Sequence, residues 1–243
     1  MLYFSIAMLA GLLVGTINGM AGGASLISYP IMLALGLHPV NAAVTNALGI
    51  SSANFFAIRS SPHSFKTLFK SYKTLILLST GFAIAGALAL LSMPPKTFEK
   101  VVPFLLLGAT LTMFLPKKPK HAHRNRRAEQ IGIAASGFYC GYFGPGQGVM
   151  VVATLARNRH ESAPKLNAAK NMIVGVTSLA SNFIYILSGR VDWPLAIALF
   201  IGSSLGGTIG GKWATRMSPI FYKMLVVMVG FSSSIWLFIR YFG

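Results

Sequence analysis

Long apolar runs alternate with short basic stretches along the whole chain. LLVGTING, YPIMLALGL, LILLSTGFAIAGALALLSM, VVPFLLLGATLTMFL, PLAIALFIGSSLGGTIGG and MLVVMVGFSSSIWLFI follow one another with few charges inside them. A soluble domain of this length has no core that could hide all of these runs, so they must face lipid or each other. Helices and closed barrels alone satisfy their backbones in hydrocarbon. Barrel strands alternate over about ten residues, and these runs are longer and continuous. The pattern therefore predicts an all-α polytopic membrane protein.

Two stretches interrupt the pattern. Asn18 to Ser25 reads NGMAGGAS, and Cys140 to Gly148 reads CGYFGPGQG. The segment from Leu2 to Leu37 is too long for one span at about 1.5 Å per residue, and its second part, from Ser25, is too short for a full crossing. A hairpin solves both problems: one helix runs to a Gly-rich tip and a short one runs back. Full spans then follow near 39–58, 73–93 and 98–115. The second half predicts a hairpin at 131–157 and spans near 164–188, 193–212 and 219–240. Eight simple transmembrane helices also fit the apolar pattern.

The two halves resemble each other. GTINGMAGGAS laid over GFYCGYFGPGQG brings Gly15, Gly19 and Gly22 onto Gly137, Gly141 and Gly144 and puts Gln147 opposite Ser25; SSANFFAI over LASNFIYI pairs Asn54 with Asn182; TGFAIAG matches SLGGTIG. The landmarks keep one order, which predicts a first repeat over 1–116, a basic connector over 117–130 and a second repeat over 131–243. An odd number of full crossings per half makes the repeats inverted.

Charge separates the two topologies. The net charge of +17 would suggest nucleic acid in a soluble protein, but here the cations collect in short loops between apolar runs, so no nucleic-acid partner is expected. With two re-entrant hairpins, sixteen basic residues fall on one side and four on the other; with eight simple crossings the split is twelve to eight. Positive charge retained on the cytoplasmic side favours the inverted arrangement, with both termini periplasmic or extracellular in a bacterial inner membrane. MLYFSIAML lacks a basic n-region, so the N-terminus is expected to be a retained helix.

The candidate chemistry lies at the glycine-rich tips. Unwound backbone inside a membrane is tolerated where protein buries it or water bathes it. Each tip starts a new half-helix whose first amides lack partners and whose dipole end is positive, an arrangement suited to a small anion near the midplane. The residues expected to bind it at the first tip are Asn18, Gly19, Gly22, Gly23 and Ser25. At the second they are Gly141, Gly144, Gly146 and Gln147. Polar positions on the following helices add Thr45, Asn46, Asn171 and Asn182.

Lys170 lies inside KLNAAKNMIVGVTSLASNF with no carboxylate in any span. A lysine at a helix centre costs about 2.5–3.5 kcal/mol on insertion scales, so it needs a partner, and an anionic substrate is the natural one. Snorkelling to the surface is the plainer alternative. Tyr139 and Tyr142 could line an entrance or simply pack. A P-loop, an HExxH motif and paired intramembrane carboxylates are absent, as is a second cysteine, so no cofactor, metal site or catalytic residue is expected and the chain does not read as an enzyme.

At these residues the sequence resembles the sulfite exporter TauE/SafE family of membrane permeases, from about residue 8 to 240. GTINGMAGGASLISYPIMLALGLHPVNAAVTNALG, GFYCGYFGPGQG and SNFIYILSGRVDWPLAIALFIGSSLGGTIGGKWATRM carry the likeness, whereas RSSPHSFK in the first half departs from it. The resemblance implies transport of small sulfur oxyanions or organosulfonates, most naturally efflux of sulfite or a sulfonate. Uptake of thiosulfate or another small anion is the runner-up, and a membrane enzyme or assembly factor the alternative class. The partners expected are the anion, the bilayer and, as an open question, further copies of the chain in a homo-oligomer.

Overall fold

The computed structural model describes residues 1–20, 23–112, 114, 125–213 and 219–242, the side chains of 219–223, 225 and 226 excepted. All regular structure among the described residues is helical. The elements are α1 (Leu2–Met20), α2 (Ser25–Ala34), α3 (Pro39–Arg59), α4 (Phe65–Ser92), α5 (Pro95–Thr112), α6 (Arg126–Tyr142), α7 (Gln147–Asn158), α8 (Ala163–Leu187), α9 (Trp193–Trp213) and α10 (Pro219–Phe242). The six expected spans overlap α3, α4, α5, α8, α9 and α10, although α4 begins eight residues before its expected start at 73. Most of the connector lies outside the described residues.

Three of the described helices, α1, α4 and α9, are long and apolar enough to cross a membrane. They carry large apolar side chains that stay exposed among the described residues, Leu77 and Leu88 on α4 and Ile197 and Leu205 on α9 among them. Such a surface would aggregate in water and is at home in lipid. The chain is a multi-pass helical membrane protein. The inner helices α3 and α8 are long but polar along one side: Asn46, Ser52 and Asn54 on α3 and Lys170, Asn171, Thr177, Ser178 and Asn182 on α8 are all buried.

Glycine sets the closest helix pairs. Gly11, Gly15 and Gly19 of α1 face Leu199, Ser203 and Gly207 of α9 in that order, so the two helices run side by side in one direction. A Cβ on Gly11 would stand 2.5 Å from the Leu199 carbonyl oxygen, a distance that only the missing side chain permits. The pair α6 and α4 is built the same way: Gly137 lies against Ser79, and Gly141 against Ala83 and Ala87. Ser203 and Ser79 occupy matching positions in the aligned halves, and both tie the pair to an inner helix. The Ser203 hydroxyl donates to the Gly49 carbonyl at 2.7 Å, and the Thr177 hydroxyl donates to Ser79 at 2.9 Å.

Candidate site where two broken helices meet

Both predicted interruptions are real breaks. α1 stops at Met20 and α2 restarts at Ser25, with Gly23 at φ +84° between them. α6 stops at Tyr142 and α7 restarts at Gln147, after Gly144 at φ +91° and Gly146 at φ +95°. Those φ values strain any residue with a side chain. Gly146 is constrained twice, since a Cβ there would also sit 2.7 Å from the Ala109 methyl. The Gly144 amide donates to the Tyr139 carbonyl at 2.9 Å, closing α6. Gly22 lies outside the described residues.

The two elbows touch. The Gly146 amide donates to the Ser25 hydroxyl at 3.0 Å, joining the start of one short helix to the start of the other. Around this contact lies a cavity of about 40 Å³ lined by both elbows and by the middle of α3 and α8. At about 10–15 Å³ per water, that is room for about three waters.

Polar groups share its lining with the apolar Ala47, Ile50, Pro145 and Val174, and no charged side chain lines it among the described residues. α1 and α2 contribute Asn18 and Ser25; α3 contributes Asn46, Ser51 and Asn54; α6, its turn and α7 add Cys140, Gly144, Gln147 and Gly148; α8 adds Ser178 and Ser181. Asn18 is satisfied by donating to Asn54 Oδ1 at 3.3 Å. Asn46 is not: both its amide nitrogen and its amide oxygen are buried without a partner, as is Gln147 Nε2. Leaving a buried polar atom unpaired costs about 1–3 kcal/mol, so these groups await water or a ligand in the cavity.

Several expected site residues stand behind the cavity instead of lining it. Lys170 is fully buried, so it does not snorkel. Its Nζ donates to the Asn18 carbonyl at 2.6 Å and to Asn171 Oδ1 at 2.5 Å, and Asn167 Nδ2 donates to the Gly19 carbonyl at 2.8 Å. The broken end of α1 exposes carbonyls with no helical partner and a negative dipole end; α8 covers them. Such a carbonyl, and not a substrate anion, is the partner that the structure gives Lys170, because the end of α1 lies beside α8. Thr45 accepts the Asp192 amide at 3.0 Å and so anchors the start of α9. Gly19 and Gly141 are helix-packing positions, and the Gly141 carbonyl also accepts the Tyr185 hydroxyl. Asn182 is buried with both amide atoms unpaired, one turn beyond Ser178.

Asn54, Ser51, Ser178 and Ser181 line the cavity without having been named as binding residues. Their signal was the polar stripe at helical spacing on α3 and α8, which serves packing as readily as binding. The tyrosines pack: Tyr139 donates to the Pro145 carbonyl at 2.6 Å and Tyr142 to Met93 sulfur at 2.8 Å.

A separate ionic cluster closes the base of the second hairpin. Arg159, just after α7, pairs with Glu129 on α6 and stacks over the Tyr72 ring of α4 at 4.5 Å. Glu161 accepts the Tyr72 hydroxyl and lies 3.4 Å from Lys165. Burial works against the Arg159 charge, but the Glu129 hydrogen bond and the neighbouring carboxylates outweigh it and raise its pKa.

A membrane-embedded bundle whose two broken helices meet at a small polar cavity is the architecture of a transporter. Residues 7–237 match the sulfite exporter TauE/SafE family, and the chain belongs to it. Among curated proteins it is similar to a probable membrane transporter protein of Haemophilus influenzae, 28% identical over 93% of this chain and 91% of that one. The probable membrane transporter protein YfcA of Escherichia coli K12 is 26% identical over 93% of this chain and 84% of its own. A probable membrane transporter protein of Sinorhizobium, ORF9, is 24% identical over 93% and 88%. No solved structure matches. The chain is thus a membrane transporter.

Proposed function

We propose that the chain is a secondary permease that carries a small anion outward across a bacterial inner membrane, with sulfite or a small organosulfonate as cargo. The observation that carries this reading is the pair of buried, unpartnered amides, Asn46 and Gln147, facing a cavity at the starts of two short helices. Amide donors and helix N-termini are what a desolvated oxyanion requires. Residues with a catalytic arrangement are not part of this reading, so we assign no enzymatic step.

The fold reading that goes with it is a pair of inverted repeats, each a re-entrant hairpin plus three spans. Asn18 bonds Asn54, late in α3, while Lys170, early in α8, bonds the Asn18 carbonyl; corresponding helices α3 and α8 thus run in opposite directions. The α1–α9 pair has its counterpart in α6–α4 when the halves are exchanged. α1 is 19 residues long, about 28 Å at 1.5 Å per residue, so in this reading each elbow passes the midplane and the two overlap. The cationic side, with Arg159 and Lys165, is the cytoplasmic one, and both termini lie outside.

Direction follows from charge. With an interior-negative potential, each negative charge leaving gains about 2.3 kcal/mol per 100 mV, so efflux needs no coupling ion. The test is proteoliposomes loaded with sulfite: efflux should be sodium-independent and should reverse its preference when the imposed potential is reversed, and Asn46→Val or Gln147→Leu should abolish it in protein that still elutes as a folded peak. Flux indifferent to potential would sink electrogenic efflux.

A further inference from the structure

We propose that the form of the anion accepted by the cavity is a protonated monoanion, an acid oxyanion that still carries one O–H, and not the fully ionised dianion. The proposal rests on the permease reading above and adds the protonation state of its cargo.

The argument is one of unpaired atoms. An amide left with only its nitrogen free asks for an acceptor, which any oxyanion supplies. Asn46, which lines the cavity, has its oxygen free as well. Rotating that amide exchanges nitrogen for oxygen and leaves the same two demands. A dianion is an acceptor at every oxygen, so it would pair with the amide nitrogens and leave the Asn46 oxygen facing negative charge. An oxyanion with one O–H satisfies both: its charged oxygens accept from Asn46 Nδ2 and Gln147 Nε2, and its hydroxyl donates to a free amide oxygen. A site built to bond a ligand hydroxyl discriminates strongly against the analogue lacking it, because its own buried atoms are then left unpaired.

Charge points the same way. The lining holds no cation among the described residues, and the Lys170 amine is spent on Asn18 and Asn171. A second negative charge would enter with no counter-charge touching it, which is costly in a water-poor interior.

Sulfite makes the test direct, because the dianion takes up one proton to become the monoanion near neutral pH, whereas thiosulfate stays a dianion and methanesulfonate a monoanion without O–H across that range. The titratable groups at or next to the cavity's walls are Cys140 in the lining, Lys170 on the Asn18 carbonyl, Tyr139 on the Pro145 carbonyl, Tyr185 on the Gly141 carbonyl and Tyr29 against the Phe143 ring. Methanesulfonate therefore reports any pH effect that belongs to the protein. Uptake into voltage-clamped proteoliposomes, above protein-free vesicles, is measured for each anion with pH stepped equally on both sides, together with the charge moved per molecule. Expected are sulfite flux that falls roughly tenfold per pH unit above its second pKa at fixed sub-saturating total sulfite, one charge per sulfite, and weak, pH-flat methanesulfonate and thiosulfate flux. Two charges per sulfite, sulfite flux constant or rising with pH, or methanesulfonate flux that falls in parallel would overturn the proposal. Absence of flux for every anion at every pH, in folded protein, would instead overturn the permease reading on which it stands.

Discussion

The Ser25 hydroxyl accepts the Gly146 amide across 121 residues of chain, and it is the direct hydrogen bond between the two elbows. Neither elbow can change shape without the other registering it. Ser25→Ala should leave the Gly146 amide buried and unpaired, a loss of about 1–3 kcal/mol, read as a lower thermal midpoint in detergent together with reduced flux. Ser28→Ala, one turn on, removes only a long 3.4 Å bond to the Ser25 carbonyl and should change the midpoint far less. Equal effects of the two would mean that the elbow contact is not what Ser25 contributes.

Lys170 is cast here as a support for the end of α1. Lys170→Met should leave the Asn18 carbonyl buried without its donor and lower the thermal midpoint, while Lys170→Gln, which can still donate, should lose less. In the surviving protein the half-saturating sulfite concentration should move less than the stability. A variant of normal stability with a large rise in that concentration would return Lys170 to direct contact with the anion.

The helix contacts predict a sharp split among glycines. Gly206→Ala on α9 would push a Cβ to within 2.7 Å of the Thr16 backbone nitrogen, and overpacking of that kind costs about 1–3 kcal/mol. Gly81→Ala and Gly108→Ala meet nothing within 4 Å and should be neutral or slightly stabilising. Thermal melts of the three purified variants decide it.

At the base of the second hairpin, Arg159→Met removes a cation that pairs with the Glu129 carboxylate, which is 1% exposed, and should lower the thermal midpoint, since breaking one side of a buried ion pair costs up to about 3–5 kcal/mol. The double variant Arg159→Met, Glu129→Gln should recover much of that loss in the same melts. If the double variant is no better than the single, the ion pair is not what holds the hairpin.

Span positions were readable because several helices begin at a proline: Pro39, Pro95 and Pro219 stand at the first residue of α3, α5 and α10, where the ring's missing amide costs nothing. The elbows were readable for a related reason, since only glycine accepts the φ values found at Gly23, Gly144 and Gly146. What each polar side chain would face was not readable. Asn46 and Thr45 are adjacent in sequence, yet one faces the cavity and the other holds the Asp192 amide of a helix from the far half. The same limit hid the role of Lys170, whose partner is a main-chain carbonyl 152 positions away, and main-chain atoms leave no mark in a string of residue types.

The pairing of α1 with α9 reaches into biosynthesis. α1 leaves the ribosome well before α9, and the backbone that fills its row of glycines is made only after Trp193. Until then that helix carries a notched face with no mate, so insertion must keep it waiting in lipid or against an insertase until the later segment arrives. A first half expressed alone should be short-lived in cells and should be rescued by co-expressing the second half as a separate polypeptide.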